Sequence, residues 1–231
     1  MSSSIRIGTS GYTYPWNEGR NAPFKWYTSQ GFNSVEINAS FYRFPTESWL
    51  KIWRTAPEDF TFSIKVHRSI THFTKLKKDR SFELWERFRR SFEPLEDKID
   101  FWLFQMPPSY IYKQENLGAT KDFFGGINLG NKAVVEFRDP SWWKIIKQIA
   151  HIGVVFCSVD APGLPDNLAA INNATYLRLH GSDKWYDYVY SQKELDKILL
   201  RVKKLKVDKK AIYLNNDHGM LKNGRYLLKR V

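Results

Sequence analysis

The sequence predicts an α/β fold, a single (β/α)₈ barrel of the TIM type, from three observations. Eight short runs of apolar or alternating residues recur along the 231 residues. Helical stretches separate most of these runs, as in βαβ units with parallel strands. Most runs are apolar on one side and carry polar side chains late on the other, as barrel strands with an active-site mouth do. One compact domain over residues 1–231 is expected. The alternative is an open doubly wound sheet, but no glycine-rich phosphate turn follows the first run.

The candidate strands are short segments rich in β-branched and aromatic residues. In chain order they are Ile5–Thr9, Ser34–Asn38, Phe60–His67, Phe101–Met106, Ala133–Arg138, Val154–Asp160, Thr175–His180 and Ala211–Asn215. Alternation assigns their faces. In the sixth run we expect Ser158 and Asp160 to face the barrel interior and Cys157 to face the helices.

The candidate helices follow proline or capping residues and carry apolar residues at helical spacing. They are Phe24–Gln30, Glu47–Thr55, Asp79–Phe92, Glu115–Phe124, Ser141–Ile152, Ser191–Leu205 and Gly219–Arg230. Thr46 is the clearest cap, directly before the second helix. The segment between Ala161 and Ala174 has no comparable pattern, so we expect a weak or missing sixth helix.

The chain is strongly basic, with 36 Lys and Arg against 24 Asp and Glu, a net charge of +12. Such a surplus is typical of proteins that bind polyanions, so nucleic acid is one candidate partner. From Lys193 to Val231 there are 12 basic and 4 acidic residues. The alternative is that these are solvated faces of the last helices, where lysine stems cover apolar surface.

Three absences from the sequence limit the location and the class of protein. The chain has no apolar run of about 18 residues that could span a membrane. Residues Met1–Ile5 lack the apolar segment of a signal peptide. Its single cysteine cannot form an internal disulfide. We therefore expect a cytoplasmic protein with no membrane partner.

A series of short motifs runs in order along almost the whole chain. The motifs are Ile7-Gly8-Thr9-Ser10-Gly11-Tyr12, Val35-Glu36-Ile37-Asn38, Ser40-Phe41-Tyr42, Phe62-Ser63-Ile64-Lys65, Ile70-Thr71-His72, Gln105-Met106-Pro107-Pro108, Glu136-Phe137-Arg138, Ser141-Trp142, Arg178-Leu179-His180-Gly181 and Asn215-Asn216-Asp217. Together they resemble the DUF72 family, also called the YecE-like family. The resemblance implies a TIM-like barrel. It implies no particular reaction, because the family has no established activity.

Polar side chains late on the strands predict a pocket at the mouth of the barrel formed by the strands' carboxyl ends. The candidate acid–base residues are Glu136, Asp160, His180 and Lys65. The candidate substrate-binding residues are Arg138, Arg178, Glu36, Asn38, His72, Gln105, Tyr12, Tyr42, Asn215, Asn216 and Asp217. Arginine and lysine bind phosphate and carboxylate groups, so we expect a small anionic substrate and acid–base chemistry. In the alternative interpretation these charges only neutralise one another across the strands.

Other functions remain open at this point. His180, Glu136, Asp160, Glu36 and Asp217 carry metal-ligating groups, so a divalent metal is allowed, although no short-spaced histidine motif is present. No P-loop is present, so no nucleotide cofactor is expected. The second hypothesis is a nucleic-acid-binding protein or a metal-dependent phosphodiesterase or nuclease, by fold analogy with endonuclease IV. The third is a ligand-binding barrel without catalysis.

Lys65 allows two interpretations of its own. A desolvated lysine can form a Schiff base with a carbonyl compound. Alternatively, Lys65 is an ordinary ion-pair partner of Glu36 or Glu136.

Overall fold

The computed structural model describes residues 5–77 and 79–231. Within them, eight parallel strands form a nearly closed barrel. The strands are β1 (Ile5–Thr9), β2 (Ser34–Ile37), β3 (Thr61–Lys65), β4 (Ile99–Gln105), β5 (Ala133–Glu136), β6 (Val155–Asp160), β7 (Ala174–Leu179) and β8 (Lys209–Leu214). Neighbouring strands pair in the order β1-β8-β7-β6-β5-β4-β3-β2. The predicted barrel is confirmed, and the open doubly wound sheet is wrong.

Helices alternate with these strands along the chain. They are α1 (Pro23–Ser29), α2 (Glu47–Trp53), α3 (Asp79–Arg90), α4 (Gln114–Ile127), α5 (Ile146–His151), α6 (Gln192–Lys204) and α7 (Met220–Leu228). Residues 161–173, all of which the structure describes, form turns and no helix between β6 and β7. The expected absence of this helix is confirmed. Thr46 caps α2 as predicted, since its Oγ1 accepts a hydrogen bond from Trp49 N.

A backbone hydrogen bond from Gly11 N to Glu36 O at 2.8 Å and several side chains join β1 to β2. The Tyr27 hydroxyl accepts a hydrogen bond from Thr9 N at 3.0 Å and donates one to Ser34 O at 2.9 Å. Earlier in β1, the Asn33 side chain accepts a hydrogen bond from Ile7 N and donates one to Ile5 O. A Cβ on Gly8 would lie 2.5 Å from Ser34 O, so glycine permits this approach. These contacts place the end of β1 next to β2 and the Glu36 carboxylate.

Several predicted element boundaries shift by a few residues. β2 ends at Ile37 because Asn38 turns into helical backbone and precedes a 3₁₀ turn, Ala39–Phe41. β3 is shorter than predicted at both ends, and a π turn, Ser69–Phe73, follows it. The fifth predicted helix divides into a 3₁₀ segment, Pro140–Ile145, and α5. These turns bend the chain over the barrel mouth.

The basic carboxyl-terminal segment supplies α6, β8 and α7. Its apolar residues Leu195, Leu199 and Val202 are buried, whereas most of its basic side chains lie at the surface. This arrangement agrees with solvated helix faces over an apolar contact. A second basic segment follows β3, and its Lys78 lies outside the described residues.

Across the residues that the structure describes, no helix is both long and apolar enough to cross a membrane.

Candidate active site

The barrel interior has a closed floor below the predicted mouth. The side chains that pack there are Phe101, Leu103, Val134, Val155, Cys157, Tyr176 and Tyr213. Two tyrosine hydroxyls satisfy the polar groups among them: the Tyr213 oxygen is 2.7 Å from Ser34 Oγ, and the Tyr176 oxygen is 2.6 Å from Ser63 Oγ. Among the described residues, this floor closes the interior from below, so a ligand would approach from the carboxyl ends of the strands.

A layer of charged side chains lies above this floor. Its central residue, Arg178, is fully buried. Its Nε and Nη2 donate to the Glu36 carboxylate at 3.0 and 2.7 Å, and its Nη1 donates to Glu136 Oε2 at 2.5 Å. Longer contacts join it to Ser10 Oγ and His180 Nε2, at 3.4 and 3.3 Å. Every guanidinium nitrogen thus has an acceptor inside the protein. We conclude that Arg178 neutralises two carboxylates and has no donor to spare for a substrate.

The two buried glutamates are saturated in the same way. Glu36 also accepts hydrogen bonds from Ser10 Oγ and the Tyr176 hydroxyl, each at 2.7 Å. Glu136 Oε1 accepts one from Gln105 Nε2 at 3.1 Å and forms an ion pair with Arg138 Nε.

These contacts decide the ionisation of Glu136. Burial alone would raise the pKa of the Glu136 carboxyl, but the guanidiniums of Arg138 and Arg178 hold it well below its usual range. Glu136 is therefore an ionised counter-charge at neutral pH.

His180 lies beside this network and is kept neutral. Burial and the positive charge of Arg178 hold the pKa of its imidazole well below the usual range. Its Nε2 lies 3.3 Å from Arg178 Nη1, and its Nδ1 lies 3.1 Å from Asn215 Nδ2. His180 is a fixed hydrogen-bonding group of the mouth.

Lys65 differs from Arg138 and Arg178, which both form ion pairs with the buried glutamates. Within the described residues, its Nζ has no carboxylate oxygen within ion-pair distance and no hydrogen bond, because Glu36 and Glu136 are occupied by arginine. The ammonium lies 4.3 Å from the centre of the Phe41 ring. His72 packs on the same ring. Lys65 is only partly buried, so it borders the solvent-accessible part of the mouth.

The surroundings of Lys65 also change its proton affinity. Burial, with the positive charge of Arg178, lowers the pKa of Lys65 to about 7. Burial, with the charges of Lys65 and Arg138, lowers the pKa of His72 to about 4. At neutral pH His72 is therefore uncharged, and Lys65 exists in both protonation states.

The loop between β7 and α6 covers the centre of the mouth. Its Trp185 and Tyr186 rings lie 5.1 and 5.3 Å from the His180 ring. The Arg138 guanidinium stacks on Trp185 at 4.7 Å. Asn216 Nδ2 donates to the carbonyl of Tyr188 and anchors this loop. Asn216 is one of the predicted substrate-binding residues, and its Oδ1 has no hydrogen-bond partner among the described residues.

A side pocket of about 540 Å³ opens between the loops that follow β1 and β2. Three predicted residues, Tyr12, Asn38 and Tyr42, line it. The buried Oδ1 of Asn38 has no hydrogen-bond partner among the described residues. The segment from Asn38 to Tyr42 also contacts Lys65, since Ser40 Oγ donates to the Lys65 carbonyl. The pocket and the lysine therefore share one structural element.

The sixth strand has the opposite orientation to the one we predicted from alternation. Cys157 and Val159 pack inside the barrel, whereas Ser158 and Asp160 point outward. Ser158 Oγ accepts a hydrogen bond from Ala169 N, and Asp160 Oδ2 accepts one from Ser182 Oγ at 3.0 Å. Ser158 therefore binds the segment 161–173, which stands in place of the missing helix, and Asp160 binds the loop after β7. Asp160 is thus placed outside the central network.

The described residues do not fit a resident metal ion. Among them, no three His, Cys, Asp or Glu side chains converge. The polar atoms of Glu36, Glu136 and His180 contact Tyr176 or Arg178. The Asp160 side chain points out of the barrel. Asp217 contributes its carbonyl oxygen to Trp16 Nε1. These five residues, predicted as possible ligands of one metal ion, therefore do not converge.

Three residues of the site were not in the predicted set. Ser10 and Tyr176 donate hydrogen bonds to the Glu36 carboxylate, and the Phe41 ring packs against the Lys65 ammonium. Tyr176 has the same strand parity as Arg178, so alternation could have identified it. No comparable signal marks Phe41, because its position depends on the turn after β2.

Comparison with known proteins agrees with this architecture. A DUF72 family protein from Thermotoga maritima has a crystal structure that matches with TM-score 0.83 and 27% identity, covering 98% of each chain. A DUF72 family protein from Enterococcus faecalis matches with TM-score 0.84 and 19% identity, covering 98% of this chain and 94% of that chain. No protein of curated function matches this sequence.

The barrel, its motifs and these structural relatives point to one family. The family model described as "Protein of unknown function DUF72" matches residues 6–228. This chain therefore belongs to the DUF72 family.

Proposed function

We propose that the mouth is the active site of an enzyme that acts on a small anionic substrate by acid–base chemistry. The observation that supports this most directly is the isolation of Lys65 from any carboxylate. A lysine in the interior is usually paired, because desolvating its charge is costly. An unpaired one at a solvent-accessible edge is typical of a functional group.

The charges around Lys65 favour an anion. The two guanidiniums of Arg138 and Arg178 balance the two carboxylates of Glu36 and Glu136. A protonated Lys65 then gives the mouth a net positive charge. A phosphate or carboxylate group would compensate that charge in a partly desolvated site.

The proton chemistry is assigned to Lys65. With its pKa lowered to about 7, the amine can accept or donate a proton near neutral pH. Glu136 and His180 have their polar atoms in hydrogen bonds, and we assign them to holding the cations and the mouth in place. Arg138, whose side chain is 12% exposed, contacts the substrate anion at the rim.

The side pocket accommodates the rest of the substrate. Its aromatic residues Tyr12 and Tyr42 offer ring faces, and the unpartnered Asn38 Oδ1 offers a hydrogen-bond acceptor. A buried acceptor without a donor is unfavourable in the free protein. A substrate bearing a hydroxyl or N–H group next to its anion would satisfy it.

The test is a turnover screen with matched variants. The protein, Lys65→Met, Arg138→Met and the control Lys51→Met on the exposed face of α2 are each incubated with mixtures of phosphorylated and carboxylated metabolites. We expect the protein and Lys51→Met to consume the same anionic compound, and the two mouth variants to lose at least about 100-fold in rate.

Two results would contradict the proposal. One is consumption that Lys65→Met leaves unchanged. The other is no anion binding, together with tight, steeply salt-dependent binding of DNA or RNA, which would favour the nucleic-acid hypothesis.

A further inference from the structure

We propose that the Lys65 amine forms a Schiff base with the carbonyl group of a small oxo-acid, an aldehyde or ketone that also bears a carboxylate or phosphate. This inference rests on the proposed function and deepens it by naming the substrate class. It makes Lys65 a nucleophile as well as a proton carrier.

The first argument is the position of the amine. Nζ lies over the face of Phe41 at 4.3 Å, and no described carboxylate or hydrogen-bond acceptor binds its N–H groups. An amine engaged in an ion pair stays protonated and unreactive. Here Arg178 and Arg138 pair with the two glutamates that would otherwise form ion pairs with Lys65 and stabilise its protonated form.

The second argument is the charge that surrounds the amine. Groups on four elements packed against it carry or can carry charge: Glu36 on β2, Glu136 and Arg138 on and after β5, Arg178 on β7, and His72 on the turn after β3. Burial and the two guanidiniums favour the neutral amine, whereas the two glutamates oppose this effect. Desolvation beside other cations is the usual way in which an enzyme activates a lysine nucleophile.

The chemistry balances without a further reactant. The lone pair of the neutral amine attacks the carbonyl carbon, a C–N bond forms and the π electrons move to oxygen. Proton transfer gives a carbinolamine, and its hydroxyl group leaves as water after protonation. The product is an iminium ion, which places one positive charge where the ammonium stood. The iminium withdraws electrons from the adjacent carbon and so weakens bonds at that carbon.

The anion of the oxo-acid has a defined place. Arg138 is close enough to Lys65 for its charge to lower the pKa of that amine, and its partly exposed guanidinium stacks on Trp185. A carboxylate or phosphate on this guanidinium would orient the carbonyl toward the amine, and orientation of this kind accelerates bond formation strongly. An uncharged aldehyde lacks this contact.

The experiment is reductive trapping. Glyoxylate and pyridoxal 5′-phosphate, which each carry an aldehyde and an anion, are added separately with sodium cyanoborohydride at pH 7. Intact mass and peptide mapping identify the modified lysines. We expect one adduct at Lys65, formed at least about 10-fold faster than at any other lysine. The adduct is expected to be absent in Lys65→Met and unchanged in Lys51→Met.

The pH dependence gives a second readout. The neutral fraction of the amine increases as pH rises through its pKa, so labelling of Lys65 is expected to increase between pH 6 and pH 8 with a midpoint near 7. Solvent-exposed lysines, with pKa values near 10.4, are expected to increase only at higher pH. Labelling of Lys65 that follows the exposed lysines would overturn the proposal.

Two controls separate this inference from the proposed function. Butyraldehyde tests the carbonyl chemistry without an anion, and stabilisation of the protein by inorganic phosphate, compared with Arg138→Met, tests the anion site without a carbonyl. Phosphate stabilisation that depends on Arg138, with no adduct at Lys65, overturns the Schiff base and leaves the proposed function intact. Equal labelling by butyraldehyde and glyoxylate overturns both proposals, because each assigns the mouth to an anionic compound.

Discussion

The barrel interior contains two layers of buried side chains, and the two layers are stabilised by different interactions. The floor fills its space with Phe101, Leu103 and Val134 and with the rings of Tyr176 and Tyr213, so its stability derives from apolar contact. The layer above is built from charges, with Arg178 between Glu36 and Glu136. Apolar packing tolerates small changes, whereas buried charges are tolerated only while each has its partner.

This difference is informative about function. A charged layer is a costly way to fill a barrel, and a well-packed apolar layer of the same volume is often as stable or more so. Its members are satisfied by one another except Lys65, which has no carboxylate partner among the described residues. We interpret the network as a support that keeps Lys65 unpaired and the mouth polar.

The largest expected effect comes from removing the shared cation. Arg178→Met leaves Glu36 and Glu136 buried without their counter-charge, and we expect the free energy of unfolding to fall by about 3–5 kcal/mol. Urea denaturation at pH 7 measures it. The double variant Arg178→Met with Glu36→Gln should recover part of the loss. A fall below about 1 kcal/mol would show that the two layers do not differ as described.

A cavity in the floor is expected to cost slightly less and to behave differently with pH. Leu103→Ala removes buried methyl groups, and we expect a loss of about 2–4 kcal/mol. Because no charge is involved, the loss should stay constant between pH 5 and pH 8. Denaturation curves at both pH values check this, and a strong pH dependence would argue against an apolar floor.

Lys65→Met is expected to stabilise the protein by about 1–2 kcal/mol at pH 6, a value that allows for the water still reaching the ammonium. The folded pKa of Lys65 is about 7 and its unfolded value near 10.4. The cost of burying its charge is therefore present in full below pH 7 and is relieved as pH rises toward 10. The gain should shrink by pH 9. Destabilisation at pH 6 would mean that Lys65 has a stabilising partner.

The smallest expected effect is the difference in stability loss between two variants that each lack a tyrosine hydroxyl. Tyr176→Phe removes a hydrogen bond to the ionised Glu36, and Tyr213→Phe removes one to the neutral Ser34. Bonds to charged groups contribute about 1.5–3 kcal/mol against about 0.5–1.5 kcal/mol for neutral ones. We therefore expect Tyr176→Phe to be the more destabilising by about 1 kcal/mol in paired denaturation experiments. The reverse order would contradict the contrast between the layers.

Much of the architecture was predictable because it depends on local pattern. The alternation in β3, β5, β7 and β8 correctly placed Lys65, Glu136, Arg178 and Asn215 toward the interior. The same reasoning was wrong for β6, where Ser158 and Asp160 face outward. Polar side chains can face outward where no helix covers a strand, and the described segment between β6 and β7 contains no helix.

The sequence by itself determined the eight-stranded barrel, the missing helix and the charged residues that gather at the mouth. Spacing and amphipathic pattern are properties of neighbouring residues, so they can be read along the chain. Only the tertiary structure decided which charges pair. Arg178 joins Glu36, 142 residues away, to Glu136, 42 residues away, and so leaves Lys65 alone. Ion pairing is a competition among groups in space, and the chain order contains no record of its outcome.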